Sequence, residues 1–237
     1  MSMQVCGLFL VFSLFVAPVL ADERGKLIFQ DDFDRTESQE TKDEVGNGWN
    51  TNSKKRAGSN KQTDLRDGVL HIYIHKDADH GVSVTHPVEF TNGTVELKFM
   101  LEHEKDTLGL NFADLKFKEV WAGHLFKVTI GVKQTQIADL KTGAMNLKIR
   151  EARKTKTLTP KQTADLKTKA KQFQHALETG TWYTAVVTVN DDRLSVSIDG
   201  NKVGSLTSPG IAHPTKRMLR LAINRNVVVD DLKVFAK

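Results

Sequence analysis

The sequence predicts an all-β protein whose antiparallel strands form a sandwich or a barrel, interrupted by one basic helical insert. Two observations predict this fold class. Short segments alternate apolar and polar residues with the period of two that is typical of half-buried strands. Turn sequences such as Asp67-Gly68, Asp199-Gly200 and Ser208-Pro209-Gly210 separate these segments. Many short strands at such spacing indicate packed sheets and argue against a helical bundle.

The first element is predicted to be a secretory signal peptide over residues 1–21. Residues 5–20 carry no charge, and Ala21 precedes the charged run Asp22-Glu23-Arg24. An uncleaved anchor is the alternative, because residues 1–4 contain no Lys or Arg. The apolar run is short for a bilayer-spanning helix and ends near a proline and a small residue, which favours cleavage after Ala21. We therefore expect a periplasmic or secreted mature chain, 22–237, with no membrane association.

Composition supports a single globular domain in an exported protein. The chain has 237 residues, of which 39% are hydrophobic and 27% charged, and this excludes disordered and collagen-like classes. Its one cysteine, Cys6, lies in the predicted signal peptide, so the mature chain cannot form a disulfide. That pattern suits a bacterial periplasmic or secreted protein better than a small eukaryotic ectodomain. No internal repeat or linker divides the chain.

The alternation of apolar and polar residues predicts where each strand lies along the chain. It is clearest over 69–75, 82–85 and 95–99, which read as half-buried strands. Further strands are predicted over 26–30, 107–113, 124–131, 134–140, 182–189, 193–199, 202–206, 217–224 and 227–235. Asn92-Gly93-Thr94 matches a glycosylation acceptor, but Asn-Gly between two apolar segments is more typical of a turn.

Residues 141–178 form the predicted insert. Thr159-Pro160-Lys161-Gln162 offers an N-cap, a proline at the first helical position and a capping-box glutamine, and Gly180 offers a stop. These signals predict a helix over 160–178 that packs on the sandwich through Leu166, Ala170, Phe173 and Leu177. The insert has ten basic and three acidic residues, a formal charge of +7, whereas the whole chain carries +5. The basic character therefore belongs to the insert.

Several motifs resemble one known superfamily. They are Leu27-Ile28-Phe29-Gln30-Asp31-Asp32-Phe33-Asp34-Arg35, Gly46-Asn47-Gly48-Trp49, Gly180-Thr181-Trp182-Tyr183, Asp192-Arg193-Leu194, Ile198-Asp199-Gly200 and Val229-Asp230-Asp231-Leu232-Lys233-Val234-Phe235. Over about 26–139 and 180–236 the chain resembles concanavalin A-like lectin/glucanase jelly rolls. It is most similar there to bacterial secreted 3-keto-disaccharide hydrolase-like domains, with laminin-G-like domains second. The resemblance implies a two-sheet antiparallel jelly-roll sandwich and carbohydrate as the partner.

One polar surface is predicted from strand parity. If Leu70, Ile72 and Ile74 face the core and neighbouring strands pair, their polar alternates share the opposite face. That face would carry His71, Tyr73, His75, Glu96, Lys98, Asn111 and Lys127. In a sandwich such a surface is either the concave ligand face or the solvated convex face, and the sequence leaves both open.

An enzyme of the resembled group would need a general acid-base at the concave face. The candidates are Glu96, His71, His75 and Asp139, with Tyr73, Lys98, Asn111, His124 and Lys127 as substrate contacts. For His124 a structural role is an equal alternative. The run Glu102-His103-Glu104-Lys105-Asp106 is not the ordered Glu-x-Asp-x-x-Glu motif of glucanases in this superfamily, so a retaining glucanase is disfavoured.

The sequence predicts no metal site and no cofactor. His71, His75, His80 and His86 are spaced by four to six residues, and positions four apart on a strand are about 13 Å apart, too far to share one ion. Calcium at the loop of Asp77, Asp79 and His80 remains the one alternative, although aspartate in a tight loop is more often a turn former.

Two functions remain open at this point. The first is an exported domain that binds or hydrolyses a glycan, as the resemblance implies, and the second is a non-catalytic glycan-binding or adhesion module. Abundant lysine favours an anionic glycan or an acidic partner surface. Nucleic acid is disfavoured by export and by the lack of interleaved basic and aromatic residues. The sequence does not predict an oligomeric state.

Overall fold

The computed structural model describes residues 24–237, so the predicted signal peptide lies outside the described residues. Within that range, two antiparallel sheets pack face to face around one hydrophobic core. The predicted two-sheet jelly-roll sandwich is therefore confirmed. Among residues 24–237, no helix is both long enough and apolar enough to cross a membrane.

Strands are the main regular elements of the described chain, and short helices lie in three of the connections between them. In chain order the elements are β1 (Lys26–Asp31), β2 (Asn50–Thr51), α1 (Ser53–Arg56), β3 (Thr63–Arg66), β4 (Val69–Tyr73), β5 (Val82–Phe90), β6 (Gly93–Met100), β7 (Thr107–Ala113), a 3-10 turn (Trp121–Gly123), β8 (His124–Gly131), β9 (Gln134–Asp139), α2 (Leu147–Lys154), α3 (Pro160–Thr168), β10 (Ala170–Gln174), β11 (Trp182–Asn190), β12 (Arg193–Ile198), β13 (Asn201–Thr207), β14 (Lys216–Ile223) and β15 (Asn226–Ala236). The strands predicted from alternation are all present, with bounds close to those expected.

The strands divide between two sheets in an order far from that of the sequence. The first sheet runs β13-β12-β11-β6-β15-β4-β3, and β1 pairs with β15. The second sheet runs β10-β9-β8-β7-β14-β5-β2. In both sheets alternate residues such as Leu70, Leu97, Val84, Leu110 and Val128 are fully buried, because each strand turns its apolar parity inward.

The turn at Asn92-Gly93 is present, but it joins the two sheets instead of closing a hairpin. Strand β5 belongs to the second sheet, and β6 belongs to the first. A Cβ on Gly93 would collide with the carbonyl oxygen of Phe235, so only glycine permits this close approach to β15. Because β4, β5 and β6 alternate between sheets, these three strands do not pair with one another although they are consecutive in sequence.

The predicted helix over 160–178 is wrong beyond Thr168. The capping box at Thr159 and Gln162 forms as expected, but the chain then turns and β10 pairs with β9, with Phe173 opposite Thr135. The alternation of Phe173, His175 and Leu177 suits a strand as well as a helix. Pairing satisfies backbone groups that β9 would otherwise leave exposed at the sheet edge, and this outweighs the local helical pattern.

The rest of the insert prediction is mixed. Phe173 and Leu177 do pack against the core, as expected. The ring of Phe173 lies over Gly204 of β13, where an added Cβ would collide with Phe173 Cδ1, so β10 also closes the end of the sandwich. Helix α2 was not predicted, and neither α2 nor α3 buries a residue.

The motifs that carried the resemblance have a structural role at the amino-terminal end of the first sheet. The buried carboxylate of Asp31 accepts hydrogen bonds from the Arg35 guanidinium at 2.6 and 3.0 Å, Trp49 Nε1 at 2.8 Å and Asn47 Nδ2 at 3.0 Å. This network ties β1 to the loop before β2. In these two motifs, the acidic residue Asp31 and the aromatic residue Trp49 therefore stabilise the fold.

Candidate functional site

A groove of about 670 Å³ runs across the outer face of the second sheet. Strands β5, β14, β7 and β8 form its floor. Its walls come from α1 and the loop at His80 on one side, and from the 3-10 turn and Met145 on the other. The groove is concave and combines apolar surface with several polar side chains, and it is therefore the candidate site.

Strand register aligns four polar side chains across the floor. Arg220 of β14 pairs with Thr85 of β5 on one side and with Asn111 of β7 on the other. Asn111 in turn pairs with Lys127 of β8. Because directly paired residues share a face, the four side chains form one row, which we name the polar row, at right angles to the strands.

His124 lies beside the polar row at the start of β8. Its Nδ1 is 3.1 Å from Asn111 Oδ1, and Arg220 Nη1 is 3.0 Å from each of its ring nitrogens. Since the amide oxygen only accepts, this contact assigns the proton of the neutral ring to Nδ1 and leaves the lone pair on Nε2. Burial, reinforced by Arg220 and Lys127, lowers the pKa of His124 to about 4. The imidazole is neutral at neutral pH.

The two cations of the polar row are poorly solvated. Burial lowers the pKa of the Lys127 ammonium and also that of the Arg220 guanidinium, with no compensating carboxylate in either case. Desolvated cations without a counter-ion act on nearby charge more strongly than solvated ones do. They favour a ligand group that carries or develops negative charge.

The groove contains no acidic side chain among the described residues that line it. Lys55 and Arg56 of α1 add two further cations to one wall. Arg56 is paired with Asp79 at 3.3 Å, at the edge of that wall. The site is therefore a cationic groove whose floor carries the neutral imidazole of His124.

The opposite wall is aromatic and is built partly by the insert. Trp121 is 54% exposed, and the guanidinium carbon of Arg150 lies 4.7 Å from the centre of its ring. Backbone hydrogen bonds from Trp121 to Met145 at 2.9 Å and from Leu147 to Glu119 at 3.0 Å join α2 to the 3-10 turn. An exposed indole beside polar groups is a typical platform for a sugar ring.

Three of the predicted site residues come together in the groove: Asn111, His124 and Lys127. Arg220 was missed. It lies within the predicted strand 217–224, in which Leu219, Leu221 and Ile223 alternate as core residues. The sequence therefore predicts that Arg220 points away from the core. Its position between Thr85 and Asn111 could not be predicted, because alternation does not specify which strands pair.

The expectation that all the predicted polar residues share one surface is wrong. Glu96 and Lys98 lie on β6 in the first sheet, on the opposite side of the sandwich from the groove. There Glu96 pairs with Arg24 at 2.9 Å, and Lys98 Nζ lies 2.5 Å from an oxygen of Asp231. The cause is the alternation of β4, β5 and β6 between sheets.

His71 and Tyr73 of β4 line a separate, smaller cleft on the first sheet. There His71 Nδ1 is 3.1 Å from an Arg66 nitrogen, and burial followed by Arg66 lowers the pKa of this histidine. His75 lies beyond β4, where its backbone N–H donates to Gln62 Oε1 at 3.0 Å and its Nδ1 accepts from the Asp77 N–H at 3.2 Å. These contacts make His75 part of a turn.

Asp139 is buried at the end of β9 and holds two loops together. Its carboxylate accepts from the backbone and hydroxyl of Thr142, from Ser208 Oγ at 2.6 Å and from the Gly210 N–H at 3.0 Å. The catalytic assignment of Asp139, like that of Glu96, His71 and His75, stays a prediction that the groove geometry does not support.

Acidic residues also gather near β3, but a lysine already occupies their centre. Glu37, Glu40 and Asp64 place carboxylate oxygens within 4.8 Å of one another. Lys61 Nζ lies 2.5 to 2.8 Å from all three carboxylates, which makes this an internal ion cluster. In the loop considered for calcium, Asp79 pairs with Arg56 and Asp77 lies 3.7 Å from His75.

The fold is that of concanavalin A-like carbohydrate proteins. Residues 37–230 match the family of 3-keto-alpha-glucoside-1,2-lyase-like domains, and the chain belongs to that family. It is thus a carbohydrate-acting jelly-roll domain, and its fold is shared by glycoside hydrolases and carbohydrate-binding modules. No curated protein sequence matches it.

Solved structures show the same architecture at low sequence identity. A non-specific endo-β-1,3(4)-glucanase of family GH16 superposes with a TM-score of 0.60 and 12% identity over 92% of this chain and 93% of its own. A laminarinase from Flavobacterium sp. UMI-01 gives 0.57 and 12% over 89% and 100%. The carbohydrate-binding module CBM66 from Bacillus subtilis gives 0.53 and 10% over 80% and 96%.

Proposed function

We propose that the chain cleaves a 3-keto-α-glucoside by 1,2-elimination in the groove of the second sheet. The observation that carries this proposal is the charge of the groove, in which Lys127 and Arg220 flank a neutral His124 and no lining residue is acidic. The family to which the chain belongs supplies the substrate class.

The charge of the groove favours elimination over hydrolysis. Glycoside hydrolysis passes through an oxocarbenium-like state that is positively charged, and it needs a pair of carboxyl groups. A cationic groove destabilises such a state. Elimination next to a ketone instead develops negative charge on the carbonyl oxygen, which positioned cations stabilise.

The proposed step uses groups on the groove floor. Arg220 Nη1, which lies 3.0 Å from Nε2 of His124, would turn to the C3 oxygen of the bound sugar and free the Nε2 lone pair. Nε2 then accepts the proton of sugar C2, and the electrons of that C–H bond form an enolate on the C3 oxygen, near Lys127 and Arg220. The enolate collapses to a C1–C2 double bond and expels the glycosidic oxygen from C1. The leaving oxygen takes a proton from water, and the imidazolium of His124 returns its proton to water, so the products are an alcohol and an unsaturated keto sugar.

A non-catalytic glycan-binding module is the second candidate. The exposed Trp121 favours it, because stacking of a sugar on an indole needs no acid-base group. In that case the unpaired charges of Lys127 and Arg220 would hold a carboxylate or sulfate on an anionic glycan. Both candidates place carbohydrate in the same groove, and both assume export after cleavage of residues 1–21, as the sequence predicts.

The test compares a 3-keto-α-glucoside disaccharide with its unoxidised parent in isotopically labelled water. Elimination should give a conjugated product that absorbs in the ultraviolet, with no label at C1, and only from the keto sugar. Lys127→Met keeps the methylene stem and removes the ammonium, so kcat/KM should fall by about 100-fold. Lys98→Met, on the opposite sheet, is the matched control and should leave the rate unchanged.

Three results would refute the elimination proposal. Oxygen label at C1 of a product that keeps the original hydrogen at C2 would show direct hydrolysis. Equal rates for Lys127→Met and the wild type would remove the groove cation from the mechanism. Binding of the keto sugar without any turnover, measured by calorimetry, would leave the glycan-binding module as the function of the groove.

A further inference from the structure

Residues 147–168 form a surface segment made of α2, α3 and their connection, which we name the basic arm. Neither helix buries a residue, so packing on the core does not explain its composition. The exposed basic residues of the arm are Lys148, Arg153, Lys154, Lys156, Lys161 and Lys167. Of these only Lys161 forms an ion pair within the described chain, with Asp165 at 3.1 Å.

The arrangement of charge within the arm is locally unfavourable. Arg150 stands three residues before Arg153 and four before Lys154, so like charges are neighbours on the same helix surface. Arg153 and Lys154 lie in the last turn of α2, where the helix dipole favours cations, but the repulsion from Arg150 itself stabilises nothing in the free protein. Local conflict of this kind is expected where a charged partner relieves it.

The arm is continuous with the groove. Arg150 lies over one face of the Trp121 ring at the groove wall, and its charge contributes to the lowered pKa of His124 on the floor. Positive surface therefore extends from the polar row, past Trp121, onto the arm. A ligand that follows this surface is much longer than a disaccharide.

We propose that the basic arm docks an acidic polysaccharide strand whose terminal or side-chain sugars reach the groove. The inference rests on the proposed function only in taking carbohydrate as the occupant. Charge complementarity supplies the rest, because five exposed cations with no carboxylate partner among residues 24–237 face solvent beside a sugar-sized groove. The arm contributes affinity and orientation, and the groove acts on the sugar.

The test uses the mature chain with three probes at equal charge concentration: polygalacturonate, DNA and vesicles of anionic phospholipid. An arm triple variant, Lys148→Gln, Arg153→Gln and Lys154→Gln, should weaken binding to polygalacturonate by at least tenfold. For about four contacts, raising the salt from 50 to 200 mM should weaken wild-type binding by roughly 50-fold. Neutral dextran should not bind the arm.

A matched triple variant removes the same charge elsewhere. Lys26→Gln, Lys105→Gln and Lys202→Gln alter exposed lysines outside the arm and should change affinity by less than about twofold. Lys127→Met tests the groove separately, since it should lower keto-sugar turnover by about 100-fold while weakening polymer binding much less than the arm triple variant does. Polymer binding that persists without any turnover would therefore refute the proposed function alone.

Equal affinities of the arm triple, the matched triple and the wild type would overturn the inference. Tighter binding to DNA or to anionic vesicles than to polygalacturonate would overturn the assignment of the occupant. Circular dichroism of each variant at the assay temperature verifies that α2 and the sandwich remain folded.

Discussion

Lys216 is the position where a single substitution tests the energetics of the sandwich most directly. Its side chain is fully buried at the start of β14, where Nζ donates to the carbonyl oxygens of His213 at 2.8 Å and Thr91 at 2.6 Å. The ammonium also lies 5.7 Å from the centre of the Phe126 ring. Burial, and to a lesser degree the charge of Lys141, lowers the pKa of Lys216 to about 8.

The sign of the pH dependence follows from that pKa. Between pH 8 and the ordinary lysine value of 10.5, the unfolded chain holds the proton and the folded chain has released it. Stability therefore rises with pH across this window, by up to about 3 kcal/mol. At neutral pH both states are protonated, and the folded state carries the full cost of the buried charge.

Lys216→Met keeps the stem and removes the charge. Urea unfolding at pH 7, 8, 9 and 10 should show the wild type gaining stability relative to this variant as the pH rises, with most of the gain between pH 8 and 10. Lys26→Met, at an exposed lysine of β1, is the control and should show no such trend. A difference between wild type and Lys216→Met that stays constant, or falls with pH, would refute the reasoning.

Three further predictions concern other parts of the chain. Gly204→Ala forces a methyl group into the Phe173 ring and should cost about 1 to 3 kcal/mol in urea unfolding, but clearly less in a Phe173→Ala background. Asp139→Asn places an amide group against N–H and O–H donors, so thermal unfolding should show that the free energy of unfolding falls by about 3 kcal/mol. The affinity for groove ligands, measured at a temperature where the variant is folded, should stay unchanged. Because the pKa of His124 is lowered to about 4 from 6.5, stability relative to His124→Gln should fall as the pH drops from about 6.5 to 4, measured by urea unfolding across that range; a flat difference would place the ring in water.

Strand positions were predictable because alternation is a local property. Leu110 and Phe112 point inward and Asn111 outward whatever sheet β7 joins, so half of the groove floor was visible in the sequence. Pairing is not local. The crossovers that send β4 and β6 to one sheet and β5 to the other separated Glu96 and Lys98 from Asn111 and Lys127.

The structure of the insert also depends on strand pairing that the local sequence does not determine. The capping signals at Thr159 were specific enough to place the start of α3. No comparable signal marked its end, because Phe173 and Leu177 fit a helical stripe and a strand equally well. Pairing with the exposed edge of β9 favours the strand over the helix, and that edge exists only in the assembled sheet.

The polar row also couples ligand binding to the integrity of the whole chain. Its members come from residues 85, 111, 127 and 220, on four strands that meet only in the complete sheet. A ligand that contacts all four residues binds only the folded state, and it connects segments that are far apart in sequence. At a hundredfold excess over its Kd it would add about 2.7 kcal/mol to the free energy of unfolding. A rise in melting temperature can therefore identify groove ligands before any reaction is known.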